Sequence, residues 1–138
     1  MTIDKMLDQS RARMVRLTAE QAWAEVRDRG ARLVDIRPEF QRRADGDLPG
    51  AIVIERVHLE WRCDPTCHAR IPEATDDDVR WIILCDEGYS SSLAAASLRA
   101  LGLVHATDVI DGFRGWRRAG LPVEHPAVPA QPRLYRPQ

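Results

Sequence analysis

Cys85 closes an apolar run, Trp81-Ile82-Ile83-Leu84, and is followed by Asp86-Glu87-Gly88-Tyr89-Ser90-Ser91. A thiol at the carboxyl end of a buried strand, just before a turn that feeds a helix, sits where open α/β sheets bind their ligands. The backbone N–H groups of Asp86, Glu87, Gly88, Tyr89, Ser90 and Ser91 can converge on such a sulfur, because helix amino termini and nest-like turns leave donors unpaired. That cradle stabilises a thiolate. It equally stabilises the terminal sulfur anion of a persulfide held ready for transfer. Gly88 supplies the positive φ that a sharp turn needs. A cysteine at a strand end, taken by itself, is more often a small buried hydrophobe; the glycine turn and the serine-led helix favour the nucleophile.

Two other cysteines lie in Cys63-Asp64-Pro65-Thr66-Cys67-His68. A tetrahedral metal site would require these donors and a distant fourth, such as His58, to converge, and the paired spacing that marks structural zinc is missing, so no metal is expected. Cys63 or Cys67 could act as a resolving thiol toward a persulfide on Cys85, since exchange needs only access and a thiolate. The simpler reading is that both are incidental cysteines in a loop. Trp23, Trp61, Trp81 and Trp116 read as core or rim packing, and Arg114, Arg117 and Arg118 as a solvated helix face.

The elements that position Cys85 follow from pattern. Thr18 with Gln21 forms a capping box, and Ala22, Trp23 and Val26 give an apolar stripe before Gly30 ends the helix. Leu33-Val34-Asp35-Ile36 and Ala51-Ile52-Val53-Ile54 are short runs bounded by Pro38, Pro49 and Gly50, which reads as buried strands. After the run ending at Cys85, Ser90 to Leu101 is a helix stopped by Gly102. Thr107 to Ile110 is a further strand, and Phe113 to Ala119 a short helix closed by Gly120 and Pro122. Residues 55–80 read as a loop with a short helix over the sheet edge. Strands alternating with helices give an α/β fold, a mainly parallel central sheet of about five strands with helices on both faces. Residues 1–16 form an amino-terminal helical arm, 17–124 the domain, and 125–138 a proline-rich carboxy-terminal tail.

The chain has 138 residues, 44% of them hydrophobic and 30% charged, with 20 Lys+Arg against 21 Asp+Glu for a net charge of −1. That composition fits one globular domain and gives no polyanion-binding surface, so nucleic acid is not an expected partner. No apolar run is long enough to span a bilayer, and Asp4 and Asp8 occupy the region where a signal peptide would be apolar. A cytoplasmic protein is expected. An odd number of cysteines leaves at least one thiol free.

Four motifs, in order, resemble those of the rhodanese superfamily, over roughly Leu17 to Val123. They are Leu33-Val34-Asp35-Ile36-Arg37-Pro38-Glu39-Phe40; Gly46-Asp47-Leu48-Pro49-Gly50-Ala51-Ile52, with Asp47 where the family usually has His; Cys85-Asp86-Glu87-Gly88-Tyr89-Ser90-Ser91; and Asp111-Gly112-Phe113-Arg114-Gly115-Trp116 followed by Gly120-Leu121-Pro122-Val123. The resemblance implies a rhodanese-like fold and a sulfurtransferase without a cofactor, in which Cys85 accepts sulfur as a persulfide. It gives Asp35 and Arg37 a supporting, ion-pairing role. The implied partners are a small-molecule sulfur donor and a thiol or cyanide acceptor, with an acceptor protein a further option, and no membrane.

Asp86 and Glu87 depart from the basic loops of thiosulfate-using members. Two carboxylates beside the sulfur repel a dianion, unless both point to solvent and are screened. Phosphatases that share this fold place an Arg six residues after the cysteine to clamp phosphoryl oxygens; position 91 is Ser, so phosphoryl transfer lacks its charge stabilisation. The rival from another class is a non-catalytic binding or redox-sensing module that docks a partner at the acidic Asp86-Glu87 mouth.

Overall fold

A computed structural model describes residues 1–125. Apart from His125, the expected tail lies outside them.

Thr18 accepts from the Gln21 amide while the Gln21 side chain accepts from the Thr18 amide, the reciprocal cap expected from the sequence. It opens a helix at Ala19–Arg29, here α2, which Gly30 ends at φ +68°. Before it, Ile3–Ala12 forms α1; of its apolar residues only Leu7 is buried, while Ile3 and Met6 face solvent. The remaining elements are β1 (Arg32–Asp35), α3 (Glu39–Asp45), β2 (Ile52–Val53), α4 (Leu59–Cys63), β3 (Trp81–Leu84), α5 (Ser90–Ala100), β4 (Thr107–Asp108) and α6 (Gly112–Arg118).

All pairings in the sheet are parallel, in the order β2-β1-β3-β4. Among the described residues there are four strands where about five were expected. A single parallel bridge, Leu17 with Val109, stands where one more strand would run beyond β4. Strand alternation sorts the core onto two faces. Val34, Trp81 and Ile83 face Leu59 and Cys63 of α4 and Ala94, Ala95 and Leu98 of α5. Leu33, Ile82 and Leu84 face Ala19 and Ala22 of α2 and Phe113 and Trp116 of α6. α1 packs over α5. Trp23 stands edge-on to Trp116, centroids 5.6 Å apart, and Trp61 is exposed rather than core.

The chain leaves β1 toward β2 on one side and β3 toward β4 on the other. The crevice beyond the carboxyl ends of β1 and β3 is therefore the point where strand order reverses, the usual ligand site of such sheets. Cys85 follows β3 there, and Arg37 follows β1.

Candidate active site

β3 ends at Leu84, and the next five residues turn tightly into α5. Gly88 has φ +89°, and a Cβ there would lie 2.8 Å from the Asp111 amide nitrogen, so the turn admits only glycine. The loop is held from outside by α6. The Phe113 N–H donates to the Cys85 carbonyl at 2.8 Å and the Arg114 N–H to the Asp86 carbonyl at 3.1 Å. These are first-turn helix amides that have no partner within α6. A Cβ on Gly112 would collide with the Cys85 carbonyl oxygen and lie 2.9 Å from both the carbonyl carbon and oxygen of Asp86, which explains why α6 opens on glycine.

Cys85 is 6% exposed. Its Sγ accepts from the Gly88 N–H at 3.1 Å and from the Ser91 N–H at 3.4 Å. Of the six amides expected around the sulfur, these two reach it. The N–H groups of Asp86, Glu87, Tyr89 and Ser90 take no partner among the described residues. All four residues line a cleft of about 320 Å³ together with Cys85 and Arg37.

Asp35 and Arg37 form a buried pair. Arg37 Nη2 lies 2.7 Å from Asp35 Oδ2, and the same nitrogen donates to the Gly46 carbonyl at 2.8 Å. The guanidinium stacks on the Phe113 ring, 4.1 Å from its centroid, so one cation ties β1, the turn after α3 and α6 together. Arg37 Nη1 is buried without a partner among the described residues. Arg37 thus reaches the cleft and braces its wall; Asp35 reaches it only through Arg37.

The two loop carboxylates differ. Asp86 is half-buried, with Oδ2 3.4 Å from the Arg114 guanidinium, whereas Glu87 is exposed and forms no ion pair among the described residues. Arg114 therefore pairs with a cleft-lining carboxylate, although it does not line the cleft itself and stays half-exposed. Its charge partly offsets that of Asp86, whereas Glu87 has no such partner among the described residues.

Sequence reasoning missed four residues behind the loop. Asp108 is fully buried and accepts from the Ser91 hydroxyl at 2.7 Å, the Ser92 hydroxyl at 2.8 Å and Arg16 Nε at 2.7 Å. Arg16 and Arg11 each also donate to the Gly88 carbonyl, at 2.9 and 2.8 Å. A signal for Asp108 was present: an acid inside the apolar run Thr107-Asp108-Val109-Ile110 must find a cation or several donors when buried.

Cys63 is not a loop cysteine. It ends α4 inside the core, and burial, reinforced by the Glu60 charge, pushes its thiol up to about 12. Such a thiol supplies almost no thiolate near neutrality, which removes it as a resolving nucleophile. Cys67 is half-buried, and its sulfur accepts from the Ala69 N–H at 3.4 Å. Among the described residues no three His, Cys, Asp or Glu side chains converge as a metal site would need, and no helix is long and apolar enough to cross a membrane.

The rhodanese-like domain family model matches residues 18–119. A thiosulfate sulfurtransferase, GlpE, of Actinobacillus succinogenes is 33% identical over 108 residues, covering 78% of this chain and 88% of that protein. A solved protein of unknown function from Rhodopseudomonas palustris, described as a possible tyrosine phosphatase, aligns with TM-score 0.81 and 31% identity over 90% of this chain and 95% of its own. A rhodanese-like domain from Anabaena aligns with TM-score 0.66 over 89% of this chain and 87% of its own; at 16% identity it speaks for the fold alone.

Proposed function

The chain belongs to the rhodanese-like domain family and is a rhodanese-type sulfurtransferase, and from that premise we propose that Cys85 carries the sulfur. The supporting observation is the pair of amides on Sγ beside four cleft-lining amides without partners. Gly88 and Ser91 hold the inner sulfur, and the N–H groups of Asp86, Glu87, Tyr89 and Ser90 are the donors for a second sulfur bonded to it.

In the first half-reaction the Cys85 thiolate attacks the sulfane sulfur of a donor. A new S–S bond forms at Cys85, and the donor's own bond to that sulfur breaks. With thiosulfate, sulfite leaves with the electron pair. In the second half-reaction a thiolate or cyanide attacks the outer sulfur, the S–S bond breaks, and Cys85 is released as thiolate. The charge balance closes without a cofactor. The donor is thiosulfate, which gives the Actinobacillus relative its name, or a persulfide-type molecule; the acceptor is a thiol or cyanide, on a small molecule or a protein. Asp35 and Arg37 support the cleft wall. The reading places the protein in the cytoplasm, where free thiols persist.

Intact-mass measurement tests this. After incubation with a donor the protein should gain the mass of one sulfur atom at Cys85, and Cys85→Ser should gain none. No adduct with thiosulfate, mercaptopyruvate or polysulfide overturns the proposal. Survival of partner binding in Cys85→Ser, with no transfer in the native chain, would select the binding-module reading instead. Phosphatase activity is not expected, because Ser91 occupies the place of the phosphate-clamping Arg and Arg37 is committed to Asp35.

A further inference from the structure

Arg11 and Arg16 precede the segment matched by the family model, which begins at residue 18. Both nonetheless contact the back of the Cys85 loop. Arg11 comes from α1, with Nε donating to the Ser92 hydroxyl at 3.0 Å and Nη2 to the Gly88 carbonyl at 2.8 Å. Arg16 lies in the link to α2. The neighbouring Leu17 amide bonds to the Asp108 carbonyl at 3.1 Å, and this backbone bridge brings the Arg16 guanidinium onto both carboxylate oxygens of Asp108.

The single hydrogen of the Ser91 hydroxyl is engaged by Asp108 at 2.7 Å, so the Ser91 oxygen, 3.2 Å from Sγ, presents a lone pair to the sulfur and accepts from the thiol. That arrangement suits S–H and not S⁻. For Ser91 to donate to an anionic sulfur its hydrogen must leave Asp108. The carboxylate can release it because Arg16 and Ser92 still satisfy it.

We propose that the amino-terminal arm is a positioning device for Cys85: Arg16 neutralises Asp108 so that the Ser91 hydroxyl can turn to an anionic sulfur, and Arg11 holds the Gly88 turn whose amide points at that sulfur. The proposal rests on Cys85 as sulfur carrier, but its test does not require transfer. The other charges near Cys85 are the Asp35–Arg37 pair beyond β1, Asp86 with Arg114 of α6, and Glu87 of the loop; α5 presents the uncharged Ser90, Ser91 and Ser92 here. Substitutions at positions 16 and 108 leave those charges in place.

The experiment is alkylation of Cys85 by iodoacetamide across a pH series, read peptide by peptide so that Cys63 and Cys67 are scored separately. Arg16→Ala exposes Cys85 to an uncompensated carboxylate two hydrogen bonds away, and the pH of half-maximal rate should rise by about one unit. Asp108→Asn leaves Arg16 as an uncompensated cation, and the midpoint should fall. The double variant should return close to the native profile, and Arg16→Lys should retain most of it. Arg11→Ala should give a smaller rise. Opposite signs at positions 16 and 108 are the signature, because a purely structural loosening of the Gly88 turn would raise both midpoints alike. Unmoved midpoints, or shifts of the same sign, overturn the proposal. If Arg16→Ala does not fold, Asp108→Asn and the half-exposed Arg11→Ala decide it. Absence of sulfur transfer in the native chain, with the expected midpoints in the variants, would count against the sulfur-carrier role and not against the arm.

Discussion

Gly112→Ala measures how strongly the sulfur loop depends on the backbone behind it. Gly112 has φ +52°, and any side chain there incurs the left-handed penalty of about 1 kcal/mol. The added methyl group would also meet the Cys85 carbonyl oxygen and the Asp86 carbonyl, both backbone, so no side chain can rotate aside. Overpacking of that kind costs about 1–3 kcal/mol, and displacement would stretch the Phe113 and Arg114 amide bonds to those carbonyls. The expected loss is about 3–4 kcal/mol in urea denaturation followed by circular dichroism. Gly102→Ala is the control. Gly102 also has positive φ, at +93°, but a Cβ there meets nothing within 4 Å, so it should lose only about 1 kcal/mol. Corrected for folded fraction, sulfur transfer by Gly112→Ala should fall roughly ten- to a hundredfold, because the amides that cradle Sγ shift with the loop, while Gly102→Ala should keep its rate. Equal stability losses within about 0.5 kcal/mol would refute the contact argument. Normal transfer in a destabilised Gly112→Ala would refute the link from loop geometry to chemistry.

Two further outcomes are open to direct measurement. The Asp86→Ala/Glu87→Ala variant should raise turnover with thiosulfate several-fold at low salt, less at high salt, and leave uncharged donors little changed; equal gains for both donor types would count against electrostatic exclusion. Glu87→Ala alone should give most of that gain, because Arg114 already partly offsets Asp86. Cys63 gives a pH prediction with a definite sign. Its thiol rises on folding from 9.0 to about 12, so folding favours the protonated form. That contribution to stability is complete below about pH 9 and is lost as pH climbs toward about 12, a decline that Cys63→Ala should abolish. At pH 8 Cys63 should also resist alkylation in the native protein and react once unfolded, as scored by peptide mass.

Local chemistry carried most of what the sequence revealed. The Thr18–Gln21 cap, the Gly88 turn and the Cys85 position involve residues a few places apart, and periodicity or turn residues betray them; the Asp35–Arg37 pair was implied by the family resemblance alone. β2 and β4 came out as two residues each where longer runs were expected, since hydrophobic runs continue past the last ladder bond into the turns. Arg11 and Arg16 were read as part of a charged arm because their partners lie 72 to 92 residues away. Cys63 was misread for a similar reason: the segment after β2 has weak periodicity, yet α4 brings Leu59 and Cys63 into the core against α5.

The Leu17–Val109 bridge has a consequence in time as well as in space. The back of the Cys85 loop is closed by residues near position 16 and near positions 108 to 114, so its grips join early and late stretches of the chain. Such distant contacts close late in folding, after local helices and turns have formed. During synthesis Cys85 emerges before Asp108, Phe113 and Arg114 exist. The pocket around Cys85 is thus assembled only when the rest of the domain is complete, and a chain interrupted before residue 108 carries the thiol without its cradle supports.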